Sequence, residues 1–476
     1  MRLREQPPGQ QMRFIVEVRI EGAGRPEMPP VPIGVIDRSA DADPASGLGL
    51  LLQEAKDLTQ RLQTVVVAEH ARQFVDAASR CRACTAPLGN KDTKQVVYRT
   101  VFGVARLNSP RFYSRCGACG MLANSRQTFS PLAQELPERT HPQWTWLQCR
   151  YASVMSFRLA QIFLRDAFPA GNSLPTASIK VNLRAVGSRL KREAQAGVAR
   201  VVAQLPARSK SPPSTSTAVA LQIDAGYIRA APGPDGPQWL AAVASKLVVP
   251  HTPHTHAHAY VAGHNPQQGL RQQAFLASIG IGLSVPVTVL SDGGEDNTYA
   301  CQLPSAAERV LDWFHIGMRF EHLLTALRGL RGVDEDSRID LVRRAEGAKW
   351  LLWHGQQKRC LQRLETLRRD TGWVGPKNPL GRLIRYLTGC ADLLINYQRR
   401  RAQKRPISSA GAESAVDYVI GQRMKRNGHM RWSPEGANAL LQVRCAVLNG
   451  QDVRNFVRWY PPDRKVHRAD QPAMAA

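Results

Sequence analysis

Apolar residues recur along this chain with two different periods, and each changeover marks a candidate boundary. Residues 1–49 are rich in Pro, Gly and Arg. They show little periodicity beyond Arg13-Phe-Ile-Val-Glu-Val-Arg-Ile20, which alternates as one strand, so a partly disordered N-terminal segment is expected. Over 50–80 the apolar positions Leu51, Leu52, Ala55, Leu58, Leu62, Val65, Val66 and Ala68 fall at helical spacing and predict a long amphipathic helix. Gln95 to Leu107 then reads as strands with a turn, and Pro110-Arg-Phe-Tyr-Ser-Arg as another strand. A helical region follows over 131–200, with segments at Trp144–Met155, Arg158–Phe168 and Ser173–Lys191, the last after the turn Pro169-Ala-Gly-Asn.

The Pro- and Ser-rich stretch over 204–217 cannot bury a core and predicts a linker. Beyond it the period shortens. Strands are predicted over Ala218–Tyr227, Leu240–Val249 and His256–Val261, then a helix over Gln267–Leu276 and the apolar strand Val287-Thr-Val-Leu-Ser291. This α/β segment spans 218–316. Residues 317–405 are helical and strongly basic, with Trp350, Trp353 and Trp373 among many Arg and Lys. A final helical segment over 406–460 precedes a tail at 461–476, and no internal repeat is present.

A chain of 476 residues exceeds what one compact core holds, so two or three domains are expected. Lys and Arg outnumber Asp and Glu by 64 to 38, giving a formal charge of +26 and a pI near 10.3. Such a chain expects a polyanionic partner. The mean hydropathy is −0.31, no apolar run approaches the ~20 residues of a membrane span, and Met1-Arg-Leu-Arg-Glu-Gln-Pro-Pro lacks the apolar core of a secretory signal. These features exclude a membrane surface as partner and predict a cytoplasmic protein on nucleic acid.

Four of the nine cysteines form two close pairs, Cys81-Arg-Ala-Cys84 and Cys116-Gly-Ala-Cys119. Each pair suits a knuckle turn, and four thiolates complete the closed tetrahedron of a structural Zn2+ site; the strand-rich stretch between them fits a zinc ribbon over 81–125. Redox CxxC motifs are the rival reading, disfavoured by the separation of the pairs and the lack of thioredoxin-like flanks. The other five, Cys149, Cys301, Cys360, Cys390 and Cys445, read as small core residues. In the following helices, Ser156–Leu164 and Thr176–Arg184 suit the two helices of a helix-turn-helix, with the second as recognition helix; an ordinary helical connector fits the same pattern.

Asp224 ends the apolar run from Ala218, and Asp292 ends Val287–Ser291, so each carboxylate is expected where a buried strand emerges. Two such carboxylates can bind a pair of divalent cations about 4 Å apart, the clamp that phosphodiester chemistry needs. Each also has an ordinary reading as a turn former, most directly at Asp292-Gly-Gly. His251, His254, His256, His258 and His264 form a further cluster. On a strand His254, His256 and His258 share one face and suit a transition metal, although a solvated edge or hairpin accounts for them more simply.

Close behind Asp292 comes Arg309-Val-Leu-Asp312-Trp313-Phe314-His315, an apolar strand ending in a DxxH cluster. With a helical insertion after it, this signature resembles that of DDE transposases of the Mutator-like and related superfamilies. The wording Leu-Asp-Trp-Phe-His is similar to that of the ISKra-type bacterial insertion-sequence group. The resemblance continues through Gly411-Ala-Glu413-Ser-Ala-Val-Asp-Tyr-Val-Ile-Gly-Gln-Arg-Met-Lys425 and Met430-Arg-Trp-Ser-Pro-Glu435 to Arg444, and covers the chain from the cysteine pairs to about Gly450. One departure is that Ala225 stands between Asp224 and Gly226, where the group has Gly directly after the first Asp.

The resemblance implies a multidomain protein in which an N-terminal zinc ribbon and helix-turn-helix-like region precede an RNase H-like α/β core interrupted by an all-α insertion. The order of three strands, a helix and a further acidic-ended strand agrees with such a core. It also implies Asp224, Asp292 and Glu413 as a catalytic triad holding two Mg2+ ions, for which Mn2+ can substitute, with Asp312 and His315 as supporting residues. Glu295 and Glu435 are the rival third carboxylates: the first shares a loop with Asp292 and the second lies inside the following basic segment, whose helix is expected to track DNA phosphates. The implied partner is double-stranded DNA, both element ends and target, bound by a homo-oligomer near the bacterial nucleoid. Two rivals stand beside this reading: a catalytically idle DNA-binding regulator, and a structure-selective nuclease of the same fold.

Overall fold

The computed structural model describes residues 12–21, 29–38, 48–114, 116–119, 127–205, 219–233, 238–248, 255–262, 267–295, 298–305, 307–373, 377–408, 415–425 and 430–461. The predicted linker over 204–217 and the tail over 461–476 therefore lie almost wholly outside the described residues. The chain divides into two compact units, residues 1–182 with 453–476, and residues 183–452. The division falls inside a single helix, Thr176–Gln204.

In the first unit, β1 (Met12–Val18) and β2 (Val31–Arg38) form an antiparallel pair with Phe14 opposite Ile36. The segment expected to hold one strand thus holds two, because Pro32 and Gly34 interrupt the alternation that reveals β2. Gly34 serves the packing: a Cβ there would stand 2.4 Å from Leu58 on the helix Leu52–Ala78. Glu54 in that helix's first turn accepts from the main-chain N–H of Leu51 (2.9 Å) and from Arg38 (2.8 Å). The far half of the helix, through Val67, Ala71 and Val75, packs on Ala105 and Leu107 of a hairpin.

That hairpin joins β3 (Asn90–Thr100) to β4 (Gly103–Tyr113), and the two-residue strand β5 (Thr128–Phe129) pairs along the outer end of β4. Helices follow at Pro142–Val154 and Phe157–Ala167, the second capped by Ser156, whose hydroxyl accepts from the N–H of Leu159 (3.2 Å). The last helix, Asp452–Trp459, departs from the expected grouping of 406–460: from Val453 it belongs to this first unit. Its apolar face explains the difference. Val453, Phe456, Val457 and Tyr460 line a hollow of about 530 Å³ with His141, Gln143 and Trp146.

The second unit is built on a five-stranded mixed sheet. β6 (Val219–Arg229) pairs antiparallel with β7 (Trp239–Val248), which pairs antiparallel with β8 (Thr255–Val261). After the helix Gln268–Ser278, β9 (Val287–Ser291) returns parallel to β6, and β10 (Ala307–Leu311) lies parallel to β9, giving the order β10-β9-β6-β7-β8. β9 is buried at every position, as befits a central parallel strand, and its Val-Thr-Val-Leu run reflects that. One sheet face buries Leu221, Ile223, Val243 and Leu247 against Phe275 and Leu276 of the Gln268–Ser278 helix.

β8 is an edge strand, and the helix Pro434–Leu448 covers it. Asn438 accepts from the N–H of Val261 (3.3 Å), Gln442 donates to the carbonyl of Ala259 (2.9 Å), and the next residue after the helix, Asn449, bonds both the N–H and the carbonyl of Ala257 (2.7 and 2.9 Å). These amides satisfy main-chain groups that an open edge would expose. The described histidines, His256 and His258, thus stand on an edge strand paired antiparallel with β7, but His258 is not simply solvated: its ring stacks on Phe275, with centroids 5.1 Å apart. His251, His254 and His264 lie outside the described residues.

Between β10 and the segment at 415 stand the helices Trp313–Arg328, Glu335–Trp353, Gln357–Asp370, Pro379–Gly389 and Tyr397–Ala402. They share a core of Phe320, Leu324, Leu352, Leu364, Leu387 and Tyr397 that continues into Leu290, Val310 and Leu311 of the sheet. Trp353 belongs to this core and Trp373 packs against it, whereas Trp350 is exposed. Burial in this core leaves the Trp353 ring no open face for a ligand.

Candidate active site and metal centre

The register of three parallel strands assembles the acidic site. Ile223 of β6, Ser291 of β9 and Leu311 of β10 stand side by side, so the next residues, Asp224, Asp292 and Asp312, follow at one level, where the parallel pairing stops. The apolar run of β6 ends at Asp224, but the strand does not, in keeping with the strand expected as far as Tyr227. Residues 225–229 stay paired with β7, and only the partnership with β9 stops. Ala225, opposite Val243, donates its N–H to Oδ1 of Asp224 (2.8 Å). Gly226 follows in the strand beneath Val416 and Lys425; a Cβ there would meet Val416 at 2.6 Å and the Lys425 ammonium at 3.2 Å. The inserted Ala225 thus leaves the strand regular.

Asp292 opens a tight turn in which its Oδ1 accepts from the N–H of Gly294 (2.8 Å), the turn-forming role being fulfilled together with its place beside Asp224. Gly293 adopts φ +75° with Cys390 of the insertion close above it, a position that excludes any Cβ. Burial and the neighbouring Asp292 push the Asp224 carboxyl above its ordinary range, opposed by His315 and by the Ala225 N–H and Lys425. A partly desolvated carboxylate beside a second one is a pair that divalent cations relieve.

Asp312 is 3% exposed and caps the helix Trp313–Arg328, its Oδ1 accepting from the N–H of Phe314 (2.9 Å). Its Oδ2 lies 4.0 Å from Nε2 of His315, within reach of an ion pair and beyond a hydrogen bond. His315 also acts electrostatically on Asp224, drawing its carboxyl down. Tyr397 donates to the carbonyl of Leu311 (2.8 Å) and fixes the main chain just before Asp312. Glu413 lies outside the described residues. Glu295 is exposed on the Asp292 loop, and Glu435 occupies the first turn of the helix Pro434–Leu448, covering β8 rather than the acidic pair.

Lys425 is the residue that sequence reasoning missed. It ends a π helix, Asp417–Lys425, and nothing in its surroundings along the chain marks it as a neighbour of Asp224. Two arginines near it in the fold face inward. Arg423 and Arg444 are buried; Arg444 donates to the carbonyls of Val419 (2.6 Å) and Tyr418 (2.7 Å) and so holds the π helix in place.

The second site lies in the first unit. Cys81, Cys84, Cys116 and Cys119 bring their sulfurs within 4.8 Å of one another, with Cys81 to Cys119 at 3.8 Å and Cys84 to Cys116 at 3.5 Å. A tetrahedron of ~2.3 Å Zn–S bonds has edges of about 3.8 Å, so the four thiols fit one ion such as zinc. The closeness runs across the two pairs, unlike two independent redox motifs, and all nine cysteines are free. The N–H groups of Cys119 and Ala118 pull the Cys116 thiol down to about 6, and those of Cys84 and Ala83 lower Cys81, whereas against the Ala86 N–H the neighbouring Cys116 and Cys119 thiols push Cys84 up to about 12, as befits thiols that share protons across one cluster. The other five cysteines are buried.

Compared with known proteins, the chain matches no protein-family model and no curated protein. Among the described residues no helix is long and apolar enough to cross a membrane.

Proposed function

We propose that the chain is a DDE transposase of the insertion-sequence kind, which binds the terminal inverted repeats of its element and cuts and rejoins DNA at Asp224 and Asp292. The observation that carries the reading is the register of β6 and β9, which sets these two carboxylates side by side at the ends of paired parallel segments. The strand order β10-β9-β6-β7-β8, three antiparallel strands followed by two parallel ones, supports an RNase H-like core. The formal charge of +26 supports a DNA partner.

Asp224, Asp292 and, by resemblance, Glu413 would hold two Mg2+ ions, which supply an activated oxygen nucleophile and stabilise the leaving oxygen. Around that pair the chain's own residues hold the scissile phosphate. Lys425 offers a cation to its non-bridging oxygens, Asp312 and Tyr397 fix the strand end, and the buried floor of β9 keeps the carboxylates partly dry. Strand cleavage and strand transfer are both in-line displacements at phosphorus, so one site serves both. The four-cysteine module and adjoining helices carry recognition of the element ends.

The test is cleavage and strand transfer of labelled element-end DNA with Mg2+ or Mn2+, comparing the wild type with Asp224→Asn, Asp292→Asn and Glu413→Gln. Loss of both reactions in all three, with DNA binding retained, is the expected result. A wild type that binds the ends and never cuts them overturns the enzyme reading in favour of a DNA-binding regulator. Cutting of branched DNA without joining indicates a structure-selective nuclease.

A further inference from the structure

Beyond Asp224 the β6–β7 ribbon runs on, and its far end exposes two large aromatic side chains. Tyr227 and Trp239 are each 51% exposed. Arg229 stands directly opposite Trp239, and its guanidinium lies over the indole, 5.6 Å from the centroid. Residues 227 and 229 alternate along β6 and so share one face of the ribbon with Trp239. The other face carries Ile228, which is buried and anchors the ribbon.

The ribbon end is also held by main-chain bonds. Ala230 donates to Gln238 (2.9 Å), Ala231 donates to Trp432 (2.8 Å), and Trp432 donates to Arg229 (2.9 Å). The aromatic pair is therefore displayed on a fixed support, where binding costs little further ordering. Exposed rings beside a guanidinium are the chemistry that receives unpaired nucleobases, which stack on both kinds of plane. The strong positive charge of the chain favours a ligand with an anionic backbone over an apolar protein surface.

We propose that Tyr227, Arg229 and Trp239 form a stacking platform for an unpaired base of nucleic acid, a single-strand site distinct from the acidic pair. The proposal rests on the transposase reading for the identity of the ligand as DNA, not for the geometry of the platform. Bases freed from pairing near a cut are the species it would capture.

The test uses the full chain without Mg2+, and two fluorescein-labelled strands of about 20 nucleotides, oligothymidylate and an abasic strand of equal phosphate count, read by anisotropy. The wild type is expected to prefer the thymidylate strand by roughly 5- to 150-fold, the worth of one stacked base. Tyr227→Ala combined with Trp239→Ala should shrink that preference to about twofold or less and leave abasic binding unchanged; Trp239→Phe should keep it. A wild type with no preference, or a preference that survives the double substitution, overturns the platform. Asp224→Asn should leave the preference intact. A wild type that cuts no DNA yet shows it sustains the platform while the transposase reading falls.

Discussion

In the metal-free protein, replacing Asp224 by Asn should raise stability. Asp224 and Asp292 follow paired residues on strands that run ~4.8 Å apart. Two full charges about 5 Å apart at an effective dielectric near 20 repel by about 3 kcal/mol. His315 and Lys425 offset part of this, leaving an expected gain of ~1–2 kcal/mol, or about 2–8 °C in melting temperature. The pH dependence carries the sign. Burial and Asp292 raise the Asp224 carboxyl, so the folded chain keeps this proton to a higher pH than the unfolded chain. Its contribution is full below the unfolded carboxylate value near 4 and is lost as pH rises through the folded one. The advantage of Asn is therefore present at neutral pH and disappears in acid. Calorimetry in chelator-free, low-salt buffer reads it, and Mg2+ should then stabilise the wild type but not Asp224→Asn. A variant that melts below the wild type at neutral pH, together with a wild type indifferent to Mg2+, would refute the repulsion argument.

Three further outcomes are expected. Cys116→Ser should abolish binding of about one zinc per chain, measured by elemental analysis, because three ligands no longer close the tetrahedron; unchanged zinc content would remove the metal centre. Trp353→Ala should lower the unfolding free energy by about 3–5 kcal/mol, while Trp350→Ala should lower it by about 1 kcal/mol or less, since the first ring lies in the helical core and the second is mostly exposed and meets Trp353 edge-on; equal losses in urea titrations would contradict that division. Burial, with Arg271 beside it, pushes the His258 imidazole down to about 4, so the folded chain resists protonation and loses stability as pH falls from the ordinary value near 6.5 toward 4. His258→Phe should flatten that loss, and urea midpoints at neutral and mildly acid pH that fall as steeply as in the wild type would show that another group is responsible.

Legibility in the sequence followed the range of the contacts involved. Strand β9 announces itself because a central parallel strand is buried at every position and so runs largely apolar, and Asp292 is conspicuous for ending that run. The two CxxC turns are local as well, so the four-cysteine cluster is readable from spacing alone. Strand β2 escapes because Pro32 and Gly34 interrupt its pattern, and the reason for Gly34 is a leucine on another element. Lys425 escapes for the same reason on a longer scale: its meaning comes from Asp224, some two hundred residues earlier. The basic stretch around Arg423 and Arg444 misleads, because charge suggests a phosphate-binding surface while the folded chain turns both guanidinium groups inward to hold carbonyls and rings. The cover on β8 has no local signature, since Asn438, Gln442 and Asn449 would serve as well on any solvated helix.

The first unit takes its last helix, Asp452–Trp459, from the opposite end of the chain to the rest of it. During synthesis, then, the helix Pro142–Val154 emerges long before the segment that lines its hollow with Val453, Phe456 and Val457. The ribosome must first produce residues 183–452, a delay of roughly 15 to 55 s at 5–20 residues per second. Throughout that interval Trp146 and its neighbours are an unfinished surface on the nascent chain, open to chaperones and to other nascent copies, so the N-terminal unit completes its fold only once residues 453–460 have been made.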